Sequence, residues 1–206
     1  SFDYMRDTEI YPESTRLSLL GRATVQVAEE HRAYFEGLYA ETVSDYVLSP
    51  VPQRIRNLPV SILPEPYRTA LSAPGLPATL NGIRLRMTEA GNRTSEVTSE
   101  ATRLVLGLEG RLGEWDYDTA VVRADNSAVD KYTNGYTLYD EFVAGVAAGI
   151  INPFGESSPA GQELIRSLRV RDEARQSEGT TTSFDASVTR SLMELGGGDL
   201  GLALGA

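Results

Sequence analysis

The chain has 206 residues, 41% of them hydrophobic, a formal net charge of −10 and no cysteine. Disulfides, thiolate metal sites and cysteine nucleophiles are excluded. An acidic chain lacks the basic face that phosphate neutralisation needs, so nucleic acid is not an expected partner. Ser1–Asp7 lacks the charged-then-apolar order of a signal peptide, and no apolar run is long enough for a membrane helix. The chain begins without Met and ends at Gly205-Ala206 straight after an apolar alternation, which leads us to expect a piece of something longer.

The dominant signal in chain order is period two, the strand period. In Arg16–Val27, Leu17, Leu19, Gly21, Ala23, Val25 and Val27 share one face, and Arg16, Ser18, Arg22, Thr24 and Gln26 the other, with Leu20 the exception. Ala28–His31 makes a polar turn. In the run that follows, Ala33, Phe35, Gly37 and Tyr39 oppose Arg32, Glu36 and Thr42. A proline-rich connection comes next, expected to be mostly irregular with one helical turn at Pro66–Leu71. A strand resumes at Ile83. Further on, Leu104, Leu106, Leu108, Gly110 and Leu112 alternate with Arg103, Val105, Gly107, Glu109 and Arg111. Gly113-Glu114 turns the chain into Trp115, Tyr117, Thr119 and Val121.

The second long connection carries two expected helices. Tyr139–Ile150 has Phe142, Val143, Val146 and Ile150 on one face. Pro159–Leu168 has Ser158 as N-cap and Pro159 at its first position. Phe184, Ala186 and Val188 then oppose Ser183, Asp185 and Ser187, and Gly196-Gly197-Gly198-Asp199 turns into Leu200–Ala206.

The expected fold is all-β with short helices in its loops, an antiparallel up-and-down meander of about six strands. The strands fall at about 13–27, 32–47, 83–112, 115–125, 180–193 and 199–206, in one partial barrel over 1–206 with long outer loops at about 49–82 and 126–179. Every short turn joins the strands of a pair, so in a meander all short turns lie at one end and all long loops at the other. Transmembrane barrels sort their loops this way. One apolar face per strand is equally what a half-exposed sheet of a soluble β-protein shows.

Candidate chemistry is sparse. His31, the only histidine, stands in a polar turn between Glu30 and Arg32, a poor position for a catalytic base. Asp116 and Asp118 share a strand face, and with Glu29/Glu30 read as polar surface rather than a glycosidase pair. Asp125, Asn126 and Asp130 match no calcium-loop spacing. Gly196–Gly198 lacks the helix and lysine of a phosphate loop. No cofactor, metal site or catalytic residue is expected. The aromatic cluster Tyr132, Tyr136, Tyr139 and Phe142, with Phe154, is the candidate ligand-binding surface, because loop tyrosines supply rigid contact area with a polar handle. Packing of the loop on itself is the competing reading.

Several stretches resemble the barrel region of TonB-dependent outer-membrane receptors. They are Tyr4-Met5-Arg6-Asp7-Thr8-Glu9-Ile10-Tyr11-Pro12, Thr102-Arg103-Leu104-Val105-Leu106-Gly107-Leu108, Gly113-Glu114-Trp115-Asp116-Tyr117-Asp118, Ile150-Ile151-Asn152-Pro153-Phe154-Gly155, and the C-terminal run from Gly179 to Ala206. The resemblance implies part of a plugged barrel of about 22 strands in the outer membrane of a Gram-negative bacterium. It implies a role in taking up a nutrient such as a siderophore, cobalamin or saccharide. The implied partners are the rest of the barrel, its plug, the TonB system acting through segments outside this chain, a small nutrient ligand and outer-membrane lipid. The six strands would leave two open edges, so edge pairing or an oligomer is expected of the isolated chain. A soluble β-rich surface or saccharide-binding module is the alternative.

Overall fold

A computed structural model describes residues 3–80 and 82–206. The chain is mostly strand, and its largest element is an antiparallel six-stranded sheet in meander order. In chain order the strands are β1 (Glu13–Ala28), β2 (His31–Leu48), β3 (Pro52–Ile55), β4 (Leu58–Pro59), β5 (Thr79–Leu80), β6 (Ile83–Arg86), β7 (Arg93–Leu112), β8 (Trp115–Asn134), β9 (Glu173–Leu195) and β10 (Gly198–Gly205). The large sheet runs β1-β2-β7-β8-β9-β10. The pairs β3-β6 and β4-β5 stand as separate two-stranded ribbons.

Two compact units divide the chain. The strand unit comprises Ser14–Val43, Val97–Val129 and Arg175–Ala206. All three short turns belong to it. The β7–β8 turn is closed by Gly113 at φ 64°, a left-handed conformation that glycine adopts without a Cβ clash. β9 and β10 pair with Gly198 opposite Leu195 and slip at Leu200/Gly201, a bulge of the kind that re-aims side chains.

The loop unit comprises the N-terminal segment up to Glu13, Ser44–Glu96 and Asp130–Ala174. Among the described residues it holds three α-helices: α1 (Tyr67–Leu71), α2 (Tyr139–Ala147) and α3 (Pro159–Ser167). Ser158 caps α3 by accepting a hydrogen bond from the Gly161 amide at 3.2 Å, with Pro159 behind it. Asp140 and Glu141 place negative charge in the first turn of α2, favourable against the helix dipole. Phe142 and Val146, one turn apart, are fully buried. With Ile55, Leu58, Val60, Leu63, Met87, Ala90, Ile151, Ile165 and Leu168 they form one apolar core.

The helical turn expected at Pro66–Leu71 is present as α1, and the two helices expected in the second connection are α2 and α3, but the first connection is more ordered than expected. Residues 49–82 and the start of the strand expected at 83–112 contribute ribbons, two 3₁₀ turns and a helix to a packed unit. The long strand breaks at the 3₁₀ turn Thr88–Ala90 and at Gly91 (φ 86°), so Ile83–Arg86 pairs with β3 rather than with the large sheet. β8 continues to Asn134 and β9 starts at Glu173, which shortens the second connection from the expected 126–179. These extensions are polar (Asn126-Ser127 and Arg175-Gln176-Ser177-Glu178) and carry no apolar alternation that could have announced them. α2 ends at Ala147, leaving Ile150 44% exposed, outside the face it was expected to extend.

Candidate functional site

The two faces of the strand unit differ sharply. One carries ionic side chains in adjacent rows. Arg22 on β1 pairs with Glu36 on β2 at 2.9 Å and lies 3.9 Å from Glu109 on β7. Arg32 also reaches Glu109, at 2.9 Å, and Arg103 approaches Glu36 at 3.6 Å. Arg111 donates twice to Asp116, at 2.8 and 3.2 Å. The Tyr34 hydroxyl donates to Asp118 at 3.1 Å, and the Arg22 guanidinium lies 4.7 Å from the centre of the Tyr34 ring. Under these groups, Tyr34, Val105, Ala120 and Val122 form a small buried patch. Each exposed pair contributes little by itself, but carboxylates shared between arginines tie several strands into one network. A hollow of about 590 Å³ opens here, lined by Glu29, Glu30, Arg32, Arg111, Asp116 and Asp118 among others.

The opposite face is apolar and exposed. Leu17, Leu19, Val25 and Val27 on β1, Phe35 on β2, Leu104, Leu106, Leu108 and Leu112 on β7, Val121 on β8, Phe184 on β9 and Leu202 and Leu204 on β10 all stay open to solvent. The belt has limits. Farther from the short turns, the same face of β2, β7, β8 and β9 turns polar at Glu41, Glu100, Arg123 with Asp125, and Thr180 with Glu178. There the Tyr39 hydroxyl bonds Glu41 at 2.8 Å and Glu100 at 3.2 Å, while Asp125 takes bonds from Arg123 and Thr180. Beside the short turns the belt ends at Trp115, with the Arg190 guanidinium 5.7 Å from its ring and paired to Glu114.

His31 is more than a solvated turn residue. It opens β2 over Gly110, where a Cβ would overlap it, and its Nδ1 lies 2.9 Å from the Tyr117 hydroxyl. Its partner is a phenol rather than the carboxylate a catalytic base would need. Asp116 and Asp118 serve separate partners, Arg111 and Tyr34.

The aromatic candidates in the loop unit separate into different roles. Tyr132 and Tyr136 stack, 3.7 Å between ring centres and 10° apart. Burial and the neighbouring Tyr132 raise the Tyr136 hydroxyl above its ordinary pKa. Tyr139 is 42% exposed and donates to the Arg54 carbonyl at 2.8 Å. Phe154 is 45% exposed on a turn in which the Asn152 side chain accepts from its amide at 3.0 Å. That turn is anchored by Ser157, whose amide and hydroxyl both donate to Glu89, at 2.7 and 2.6 Å. Phe142 is 0% exposed and belongs to the core, which corrects its place on a ligand surface: a ring with no open area has none to offer. A cavity of about 220 Å³ lies between Phe154 and the strip Leu85–Glu89. Sequence reasoning missed Arg54, Arg84 and Arg86, which the β3-β6 register places on one side of the ribbon, because that register leaves no periodic trace.

Comparison with protein-family models, with curated proteins and with solved structures found no match.

Proposed function

We propose that this chain forms part of the wall of a transmembrane β-barrel, with a folded extramembrane unit built from its long connections. Within that class we assign it to the TonB-dependent outer-membrane receptors of Gram-negative bacteria. It contributes barrel wall and ligand-capturing loops for uptake of a small nutrient such as a siderophore, cobalamin or saccharide. The rest of the barrel, its plug and the TonB system are the partners this reading requires, and the role is not catalytic.

The observation that carries the reading is the bounded apolar belt. Leu104 to Leu112 spans roughly 27 Å of strand. A tilt of about 40° reduces that to roughly 20 Å of height, close to the band of about 25 Å that meets lipid in such barrels. Trp115 at the short-turn boundary suits an interfacial aromatic girdle, where the Arg190 stem can lie along apolar surface with its charge held toward Glu114. The ionic network opposite suits a polar lumen. No helix among the described residues is long and apolar enough to cross a membrane, which says nothing of strands. Family membership rests on the sequence resemblance.

The test compares refolding with and without amphiphile. The chain is expected to require detergent or lipid vesicles for its β-sheet circular dichroism, and Trp115 fluorescence should be quenched by lipids brominated near the headgroup. A compact β-rich monomer in detergent-free buffer would overturn the barrel reading and favour a soluble surface module.

A further inference from the structure

We propose that the β3-β6 ribbon is an oxyanion-binding site that takes the phosphate groups of a small soluble ligand. This rests on the reading of the long connections as the ligand-capturing part of the chain, and it assigns that ligand a chemical class.

The ribbon register places Arg54 directly opposite Arg84, and Pro52 opposite Arg86. Directly opposed residues of an antiparallel pair point to the same face, so three arginine side chains leave one side of a four-residue ribbon, with the Arg54 head over Gly82 at one end and the Arg86 head toward Ser49 and Pro50 at the other. Like charges directly opposite each other destabilise a pair of strands. Among the described residues, none of the three arginines makes an ion pair; in the same unit Arg6, Arg68 and Arg166 do, while Arg56, Arg93, Arg169 and Arg171 do not.

The positions of these groups fit a site. They line a hollow of about 690 Å³ together with Pro52, Gln53, Leu85 and Thr88, with no carboxylate among the lining residues. Arg86 is held by neutral acceptors, donating to the Ser49 hydroxyl at 3.1 Å and the Pro50 carbonyl at 3.0 Å, with the Tyr4 ring centre 5.2 Å from its guanidinium. These contacts fix its orientation without a carboxylate partner. Tyr139 anchors its hydroxyl on the Arg54 backbone, so one of the exposed aromatics borders the same ribbon. A concentration of unneutralised positive charge is conspicuous in a chain of net charge −10. Guanidinium forks match phosphate oxygens in bidentate geometry, and three of them suit a group bearing more than one negative charge.

Hydrogen–deuterium exchange on the full chain, refolded in detergent and with pyrophosphate as probe, tests the proposal. Pyrophosphate at about ten times its dissociation constant should slow exchange over 52–55 and 83–86 by about tenfold. Arg84→Gln should lower pyrophosphate affinity by about tenfold or more. It should also slow exchange in the ribbon without anion, since it removes the like-charge opposition. Arg171→Gln, a charge change elsewhere in the unit, should leave affinity unaltered. The proposal is overturned by any of four results: no protection from pyrophosphate, an equal loss in Arg171→Gln, faster basal exchange in Arg84→Gln, or protection by phosphatidylglycerol vesicles but none by pyrophosphate. The detergent requirement is read separately at Trp115, so failure of the barrel reading and failure of this one are distinguishable.

Discussion

Gly107 lies under the Tyr34 ring, and a Cβ at that position would overlap the ring and its hydroxyl. The absent side chain lets Tyr34 lie flat across β7, cover Val105 and reach Asp118. Gly107→Val should therefore lift the ring, break that hydrogen bond and cost about 1–3 kcal/mol, the usual range for overpacking. The check is the urea midpoint of the detergent-refolded chain; an unchanged midpoint would show that Tyr34 does not depend on this space. Glu65 acts at the same scale. Its carboxylate accepts from the Thr69 hydroxyl at 2.7 Å, the Thr69 amide at 3.3 Å and Arg68 Nε at 2.8 Å. The Thr69 hydroxyl bond, then Arg68, holds its pKa below the ordinary carboxylate value. A depressed folded-state pKa means the contribution is fully present above the unfolded value of about 4.3 and is lost as pH falls through the folded one. Amide exchange over 67–72 should quicken as pH drops from about 5 to 3, after correction for intrinsic rates, and Glu65→Gln should abolish that pH dependence.

At the scale of elements, helices and strands were legible to different degrees. α3 was visible because Ser158 and Pro159 act locally, through one side-chain cap and one fixed φ. The hairpins were visible because alternation and tight turns are also local. The break of the expected 83–112 strand was not, since nothing in Ile83–Arg86 distinguishes pairing with β3 from pairing in the large sheet. Phe142 shows the same limit in one residue. Its helical spacing with Val146 predicts an apolar face, but only the core of β3, β4, α2 and α3 turns that face fully inward. Phe142→Ala should cost about 3–5 kcal/mol as a cavity-forming change. Proteolysis should then begin within 49–82 and 135–172, while strand circular dichroism persists. Simultaneous loss of both signals would show instead that the two units unfold together.

For the whole molecule, the belt makes a sign prediction. Leu106→Arg places a charge in the middle of the apolar face and should destabilise the chain in lipid by about 2–4 kcal/mol, as arginine does at a bilayer midplane. The same change in a soluble sheet would be nearly neutral, since Leu106 is 64% exposed. Urea titration of the chain refolded in vesicles gives the answer: a cost below about 0.5 kcal/mol, the range of ordinary surface changes, would sink the lipid-facing assignment.

The sequence by itself determined the strand class, the meander order and which residues share a face, because period-two alternation and two-residue turns are encoded by neighbours along the chain. Tertiary structure decided what the long connections become. The Phe142–Ile165 core, the Ser157–Glu89 anchor and the opposed arginines of the β3-β6 ribbon join residues far apart in sequence, through contacts and a register that no local periodicity specifies.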